Sequence, residues 1–254
     1  MNLLLLEPAE GEAAGDIPLS DARADHLRKI LRVRVGDRIR VGIVDGPLGH
    51  AEVVAMNERE IRLRAVFEAE TPPRPCVSLL LAMPRPKALK RLWAPLAAAG
   101  VDAIFVLPAE RVERMYFDSD ALHPALIRSR LIEGLAQAAD TRLPRVEIRR
   151  RLRPFLEDEG EPLWRDARRL LAHPGNAPRV ADRVRPGERV WLAVGAEGGW
   201  TPYERELWRA HGFEEVSMGP RAWRSGPACL ALIALAQDAR RREMGMPVVE
   251  KEAE

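Results

Sequence analysis

The segment Thr71-Pro72-Pro73-Arg74-Pro75 constrains the fold of this chain more than any other. Three prolines in five residues fix φ and remove backbone donors, so neither a helix nor a central strand continues through it. It reads as a stiff extended connector and a domain boundary. The hydrophobic period differs on its two sides. Before it, residues 38–44 (RIRVGIV) alternate, Asp45-Gly46 marks a turn, and 50–56 and 60–67 read as further strands. One helix is expected over 21–31, with Ser20 as its cap. Short strands with one helix suggest a small barrel.

After the connector, strands and helices alternate. Residues 76–82 (CVSLLLA) form a continuous apolar run, as in a strand covered on both faces. A helix over 86–99 ends at Gly100, and 103–107 is a strand. Residues 124–140 have helical spacing, 149–167 read as a loop with short helical pieces, and 168–173 and 189–194 are strands. Thr201-Pro202-Tyr203-Glu204 has the pattern of a capping box with proline at the first helical position, which predicts a helix over 202–211. A strand at 214–218 and a helix over 227–243 complete an α/β domain with a mainly parallel sheet. The domains are therefore read as 1–72 and 73–245, with 246–254 as a disordered tail.

Several chemistries find no support in the residues. Cys76 and Cys229 lie in apolar runs, which predicts buried free thiols rather than a disulfide. Two distant cysteines and five scattered histidines give no metal-ligand spacing, so no metal is expected. The opening MNLLLLEP has an apolar run too short for a signal-peptide core, and no run of about 18 apolar residues is present. A cytoplasmic protein that does not enter a membrane is expected.

In an open parallel sheet, ligands bind beyond the carboxyl ends of the strands. Three such ends carry glycine-bearing loops: His173-Pro174-Gly175, Gly195-Ala196-Glu197-Gly198-Gly199, and the segment from Met218 to Pro227. None is a known phosphate cradle, because neither GxGxxG spacing nor a Gly-Lys-Ser/Thr element is present. Any one alone is a tight turn more often than a site; three together point to a ligand.

With these residues in view, the chain resembles the SPOUT-class RNA methyltransferases, specifically the bacterial 16S rRNA uracil-N3 methyltransferase family. His26-Leu27-Arg28-Lys29-Ile30-Leu31-Arg32, closing on Gly36-Asp37, is similar to the His-Leu-x-x-Val-Leu-Arg-x-x-x-Gly-Asp of that family's PUA-like domain. Gly195-Ala196-Glu197-Gly198-Gly199-Trp200 stands where the family has Gly-Pro-Glu-Gly-Gly-Phe. Met218 to Ala228 stands where it has Leu-Gly-x-Arg-Ile-Leu-Arg-x-Glu-Thr-Ala, with Gly226-Pro227 replacing the Glu-Thr.

The resemblance implies a small N-terminal PUA-like β-barrel and a C-terminal SPOUT domain with a parallel sheet and a deep trefoil knot. It also implies a homodimer acting on 16S rRNA or the assembled small ribosomal subunit, with S-adenosylmethionine as cofactor. The cofactor would be held by Leu171, Ala172, His173, Pro174, Val194, Gly195, Glu197, Gly198, Gly199, Met218, Gly219, Arg221, Ala222 and Trp223. Methylating uracil N3 displaces a proton and spreads negative charge onto two carbonyl oxygens, so Arg221 and Arg224 are the candidate catalytic donors, with Glu197 as a candidate base. Phosphate binding, or pairing of the arginines with Glu197, is the structural alternative. Trp200 and Trp223 could stack on a base or simply pack.

Charge adds one more clue. The chain has 40 Lys+Arg against 38 Asp+Glu, and of the basic residues 36 are Arg. Coding bias or a need for bidentate phosphate donors would each produce that excess. Position separates them better: basic residues cluster at 23–40, 85–91 and 142–153, acids at 7–16, 157–166 and 250–254. Arg28, Lys29, Arg32, Arg34, Arg85, Lys87, Lys90 and Arg142 are therefore the candidate RNA contacts, against the alternative of solvated faces.

Overall fold

A computed structural model describes residues 2–11 and 16–241; the tail expected at 246–254 lies outside the described residues. The chain divides into two compact units. One comprises Met1–Pro75, Trp93–Gly100 and Ile127–Pro144, the other Cys76–Leu92, Val101–Leu126 and Arg145–Glu254.

The first unit is built on a five-stranded mixed sheet that forms a half-barrel. Its strands are β1 (Leu4–Leu6), β2 (Ile17–Leu19), β3 (Arg38–Ile43), β4 (Leu48–Met56) and β5 (Ile61–Phe67), in the order β1-β3-β4-β5-β2. β1 runs parallel to β3 and the other pairs are antiparallel. Alternation sends Val41, Ala51, Val53, Ile61 and Leu63 into one core with Leu4, Leu6 and Leu27, and leaves Arg38, Arg40 and Val66 outside. Asp21, not Ser20, caps the Ala22–His26 helix: its carboxylate accepts from the Arg23 N–H at 2.9 Å. An ionised acceptor one residue closer to the helix outcompetes a hydroxyl. Beyond His26 the helix widens over Leu27–Leu31 and ends at Arg32 in the left-handed region, φ 53°. Within this unit Arg142 donates to the Pro72 and Asp45 carbonyls, and Thr141 Oγ1 donates to the Gly46 carbonyl at 2.7 Å.

The second unit carries six parallel strands: β6 (Val77–Ala82), β7 (Ala103–Leu107), β8 (Arg145–Ile148), β9 (Arg168–Ala172), β10 (Val190–Val194) and β11 (Glu214–Val216). Their order is β11-β9-β10-β6-β7-β8. Central β6, β7 and β10 are buried throughout, as their continuous apolar runs require. Phe105, Phe155, Trp164, Trp191, Trp208 and Phe213 fill one side of the sheet, with ring pairs 4.6–5.9 Å apart in tilted and edge-on contacts. Neither cysteine forms a disulfide; Cys229 is buried, which pushes its thiol up to about 12, and Cys76 is half-buried rather than buried. Among the described residues no helix is long and apolar enough to cross a membrane.

Candidate functional site

Register makes the site. Val194 of β10 pairs with Ala172 of β9, and Val216 of β11 pairs with the same Ala172. Three neighbouring parallel strands therefore end level, and the loops that follow them emerge side by side. Hydrogen bonds then join the first loop to the third. His173 N–H donates to the Val216 carbonyl (3.0 Å) and Gly175 N–H to the Gly219 carbonyl (3.3 Å). The Ser217 hydroxyl donates to the Gly175 carbonyl (2.7 Å) and accepts from the Gly219 N–H (2.9 Å).

The middle loop turns inside its own sequence, with Gly199 N–H donating to the Ala196 carbonyl at 2.9 Å. A Cβ on Gly195 would lie 3.2 Å from the Gly199 Cα, so the two backbones touch where only glycine is comfortable. Gly219, at φ +101°, occupies a region that L side chains rarely adopt. After the turn, Thr201 and Glu204 form the expected capping box of the Pro202–Ala210 helix. The Glu204 carboxylate accepts from the Thr201 N–H at 2.8 Å, and the Thr201 hydroxyl accepts from the Glu204 N–H at 3.3 Å.

These loops enclose a hollow of about 120 Å³. Of the cofactor residues expected from the sequence, Ala172, His173, Pro174, Val194, Gly195, Glu197, Gly199, Met218, Gly219, Arg221, Ala222 and Trp223 line it. Two do not. Leu171 is wholly buried in the sheet core, and Gly198 turns its carbonyl to Arg111 Nη1 at 2.8 Å. Val216, Ala196, Trp200, Ser225, Ala228 and Leu232 also line the hollow, beyond the cofactor residues the sequence predicts. Ser225, Ala228 and Leu232 share one face of the Ser225–Arg241 helix at i, i+3, i+7, a spacing legible once the helix start is known.

Some of the residues lining the hollow carry buried polar atoms without a partner among the described residues. Among the described residues, buried side-chain atoms without a hydrogen bond include His173 Nδ1, Trp200 Nε1 and Ser225 Oγ, and all three residues line it. Leaving such groups unpaired costs about 1–3 kcal/mol each, so a ligand that bonds them recovers that loss. Burial, assisted by the nearby Arg205 cation, lowers the His173 pKa below its usual value, which favours the neutral ring. Trp200 stacks edge-on against Trp208 at 5.5 Å and is 3% exposed, so it is a packing group. Trp223 is 50% exposed at the mouth.

The candidate catalytic residues meet at that mouth only in part. Arg221 lines the hollow; Arg224 is exposed beside it but does not line it. Neither guanidinium has a hydrogen bond or ion pair among the described residues, so neither pairs with Glu197. Glu197 Oε1 instead accepts from the Arg85 N–H at 3.3 Å.

The candidate RNA contacts fall into two kinds. Arg28 and Lys29 pair with Asp25 (3.1 and 3.2 Å), Lys90 pairs with Asp120 (2.6 Å), and Arg142 is committed to backbone carbonyls. Arg32, Arg34 and Lys87 are exposed and unpaired among the described residues, and Arg85 sits against Tyr116.

Residues 71–237 match the RNA methyltransferase domain family, and residues 19–66 match the RNA methyltransferase PUA domain. The chain is 30% identical over 248 residues to the ribosomal RNA small subunit methyltransferase E of Treponema pallidum, covering 92% of this chain and 90% of that one. The ribosomal RNA small subunit methyltransferase E 1 of Borreliella burgdorferi is 26% identical, covering 91% of this chain and 95% of that one. The crystal structure of ribosomal RNA small subunit methyltransferase E from Neisseria gonorrhoeae bound to S-adenosyl methionine superposes with TM-score 0.77 at 23% identity, over 94% of this chain and 97% of that one.

Proposed function

We propose that this chain, which belongs to the RNA methyltransferase family, methylates the ring N3 of a uridine in 16S rRNA of the small ribosomal subunit, using S-adenosylmethionine. The observation that carries the reading is the hollow where three strands end level and three of the lining residues carry a buried polar atom without a partner. The proposal includes a cytoplasmic homodimer, a deep knot in the C-terminal domain, and a functional division at 72/73 into a PUA-like RNA-binding domain and a methyltransferase domain.

The residues fit the cofactor. Val194, Val216, Met218 and Leu232 offer apolar walls, glycine backbones allow close approach, and Trp200 Nε1, Ser225 Oγ and His173 Nδ1 offer hydrogen bonds. At about 120 Å³ the hollow is smaller than the 300–1,000 Å³ usual for ligand sites, and the exposed residues Arg221, Ala222 and Trp223 form one of its walls. Bound S-adenosylmethionine would supply an electrophilic methyl group whose leaving thioether is neutral. Arg221 and Arg224, unpaired among the described residues, would donate to the uracil oxygens as N3 loses its proton to Glu197, the candidate base. Glu197 lines the cavity, and its Oε1 accepts from the Arg85 N–H. Trp223 would shield the mouth from water.

Calorimetry with S-adenosylmethionine, followed by transfer of a tritiated methyl group to unmodified small subunits, tests this. Micromolar binding with incorporation is expected; a folded protein that binds no cofactor would contradict it. One observation favours a second reading, an RNA- and cofactor-binding protein with reduced catalysis: Gly226-Pro227 stands in place of Glu-Thr. A Cβ on Gly226 would meet only Leu92 Cδ1, at 3.6 Å, so the carboxylate can be restored without a clash at its base. On that reading Gly226→Glu with Pro227→Thr raises turnover without altering cofactor affinity.

A further inference from the structure

A larger hollow, about 720 Å³, lies at the carboxyl ends of β7 and β8, within the second unit. Its floor is apolar, formed by Val112, Phe117, Leu152 and Leu207. Its rim carries Arg114, Arg151 and Tyr203. Tyr203 is 60% exposed, although it is aromatic and sits in the first turn of a helix. Arg114 and Arg151 are exposed and have no hydrogen bond or ion pair among the described residues.

The other charges here are accounted for. Arg150 pairs with Asp118 at 3.1 Å and Arg153 with Glu157 at 2.7 Å. Glu204 is 4% exposed, and its two oxygens accept from the Glu110 and Thr201 N–H groups at 2.7 and 2.8 Å. Glu110 is the one exposed carboxylate among the lining residues. Two guanidiniums are therefore left free over an apolar floor with an aromatic ring at its edge.

This hollow is tied to the first. Arg111 Nη1 donates to the Gly198 carbonyl at 2.8 Å, and the Glu110 N–H donates to Glu204, so the loop after β7 braces the segment 197–204. Residues at the start of that stretch line the cofactor hollow, and Tyr203, Glu204 and Leu207 line this one.

We propose that the hollow is a nucleotide subsite, which takes a base of single-stranded RNA flanking the target uridine, stacked on Tyr203, with adjoining phosphates on Arg114 and Arg151. The inference rests on the RNA methyltransferase reading above. Stacking platforms beside guanidinium donors are how unpaired nucleotides are held, because every base has a flat face and every link a phosphate. An apolar protein segment would fill the floor but leave both guanidiniums unmatched.

The test uses the full chain and a single-stranded RNA of about ten nucleotides centred on the methylated position, followed by fluorescence anisotropy across a salt series. Arg114→Ala with Arg151→Ala should weaken binding about tenfold or more and make the log–log salt slope shallower by about 1.4, or 0.7 for each lost phosphate contact. Tyr203→Ala should weaken binding about tenfold and Tyr203→Phe should restore it, since stacking needs the ring and not the hydroxyl. Affinity for S-adenosylmethionine should be the same in every variant. An unchanged RNA affinity and salt slope in the double variant would overturn the subsite, as would a wild-type chain that binds no RNA. Loss of binding to the assembled subunit, with oligonucleotide binding intact, would overturn it in favour of a ribosomal-protein partner. If the wild type binds no S-adenosylmethionine but the RNA losses appear, the methyltransferase reading fails and the subsite stands.

Discussion

Arginine has opposite roles behind the cofactor hollow and at its mouth. Behind it, Arg168 pairs with Glu188 and Glu214 at 3.2 and 2.8 Å. Arg205 makes two parallel bonds to Glu215, both 2.8 Å, and Arg209 reaches the same carboxylate at 3.2 Å. At the mouth, Arg221 and Arg224 are exposed and unpaired among the described residues. A bidentate pair fixes geometry as well as adding energy, whereas an unpaired guanidinium is available to an incoming group. The contrast teaches that the frame and the chemistry are separable here: substitutions behind the hollow should be read in stability, those at the mouth in turnover.

The largest effect is expected from the frame. Trp208 is fully buried between Trp200 at 5.5 Å and Phe213 at 4.6 Å. Trp208→Ala should cost about 3–5 kcal/mol in urea unfolding. At the mouth, Arg221→Ala or Arg224→Ala should lower the methyl-transfer rate about 10²–10³-fold, the usual effect of losing one charge-stabilising donor. The unfolding midpoint of those variants should correspond to a change within about 0.5 kcal/mol. Loss of stability without loss of rate would erase the distinction. A smaller effect on the frame comes from Thr201→Ala, which removes the side-chain half of the capping box and should cost about 1 kcal/mol.

The pH dependence sharpens the comparison further. Hydrogen bonding from Arg205 holds the Glu215 carboxyl below its usual value. A lowered folded value means that the unfolded chain binds more protons in acid. The stabilisation is therefore complete above about pH 4.5, the ordinary glutamate value, and is lost as pH falls through the folded value. Glu215→Gln should flatten this part of the acid limb in a melting series from pH 6 to 3. His173 acts in the same direction at higher pH: its lowered value means that stability falls as pH drops below 6.5, and His173→Asn should remove that slope.

Sequence made some of this legible and hid the rest. The β10 run, the glycine turn after it and the Thr201–Glu204 box were readable because each is local: a buried parallel strand needs a continuous apolar run, and a cap needs residues at fixed offsets. The strand β8 (Arg145–Ile148) leaves no legible pattern in the sequence, because an edge strand pairs on one side only and tolerates the Arg and Glu of RVEI. β1 and β2 are three residues each, too short for a period to show. The last helix begins at Ser225 rather than 227, since proline is tolerated in a first turn where N–H groups are unpaired anyway. Level strand ends depend on long-range register, which no local pattern contains; hence the three loops could be named, but the face of Ser225, Ala228 and Leu232 that completes their hollow could not.

The central claim is that the loops after β9, β10 and β11 bind S-adenosylmethionine so that the chain can methylate small-subunit RNA. Its most direct test incubates the wild-type chain and Gly195→Val with tritiated S-adenosylmethionine and unmodified small subunits, then maps the product. A side chain at 195 meets the Gly199 backbone at 3.2 Å and would push the turn out of shape. The account predicts label on N3 of one uridine of 16S rRNA with the wild type and loss of both cofactor binding and label with the variant. Equal cofactor binding by the two proteins, or label absent from the RNA while the wild type is folded and cofactor-bound, would contradict it.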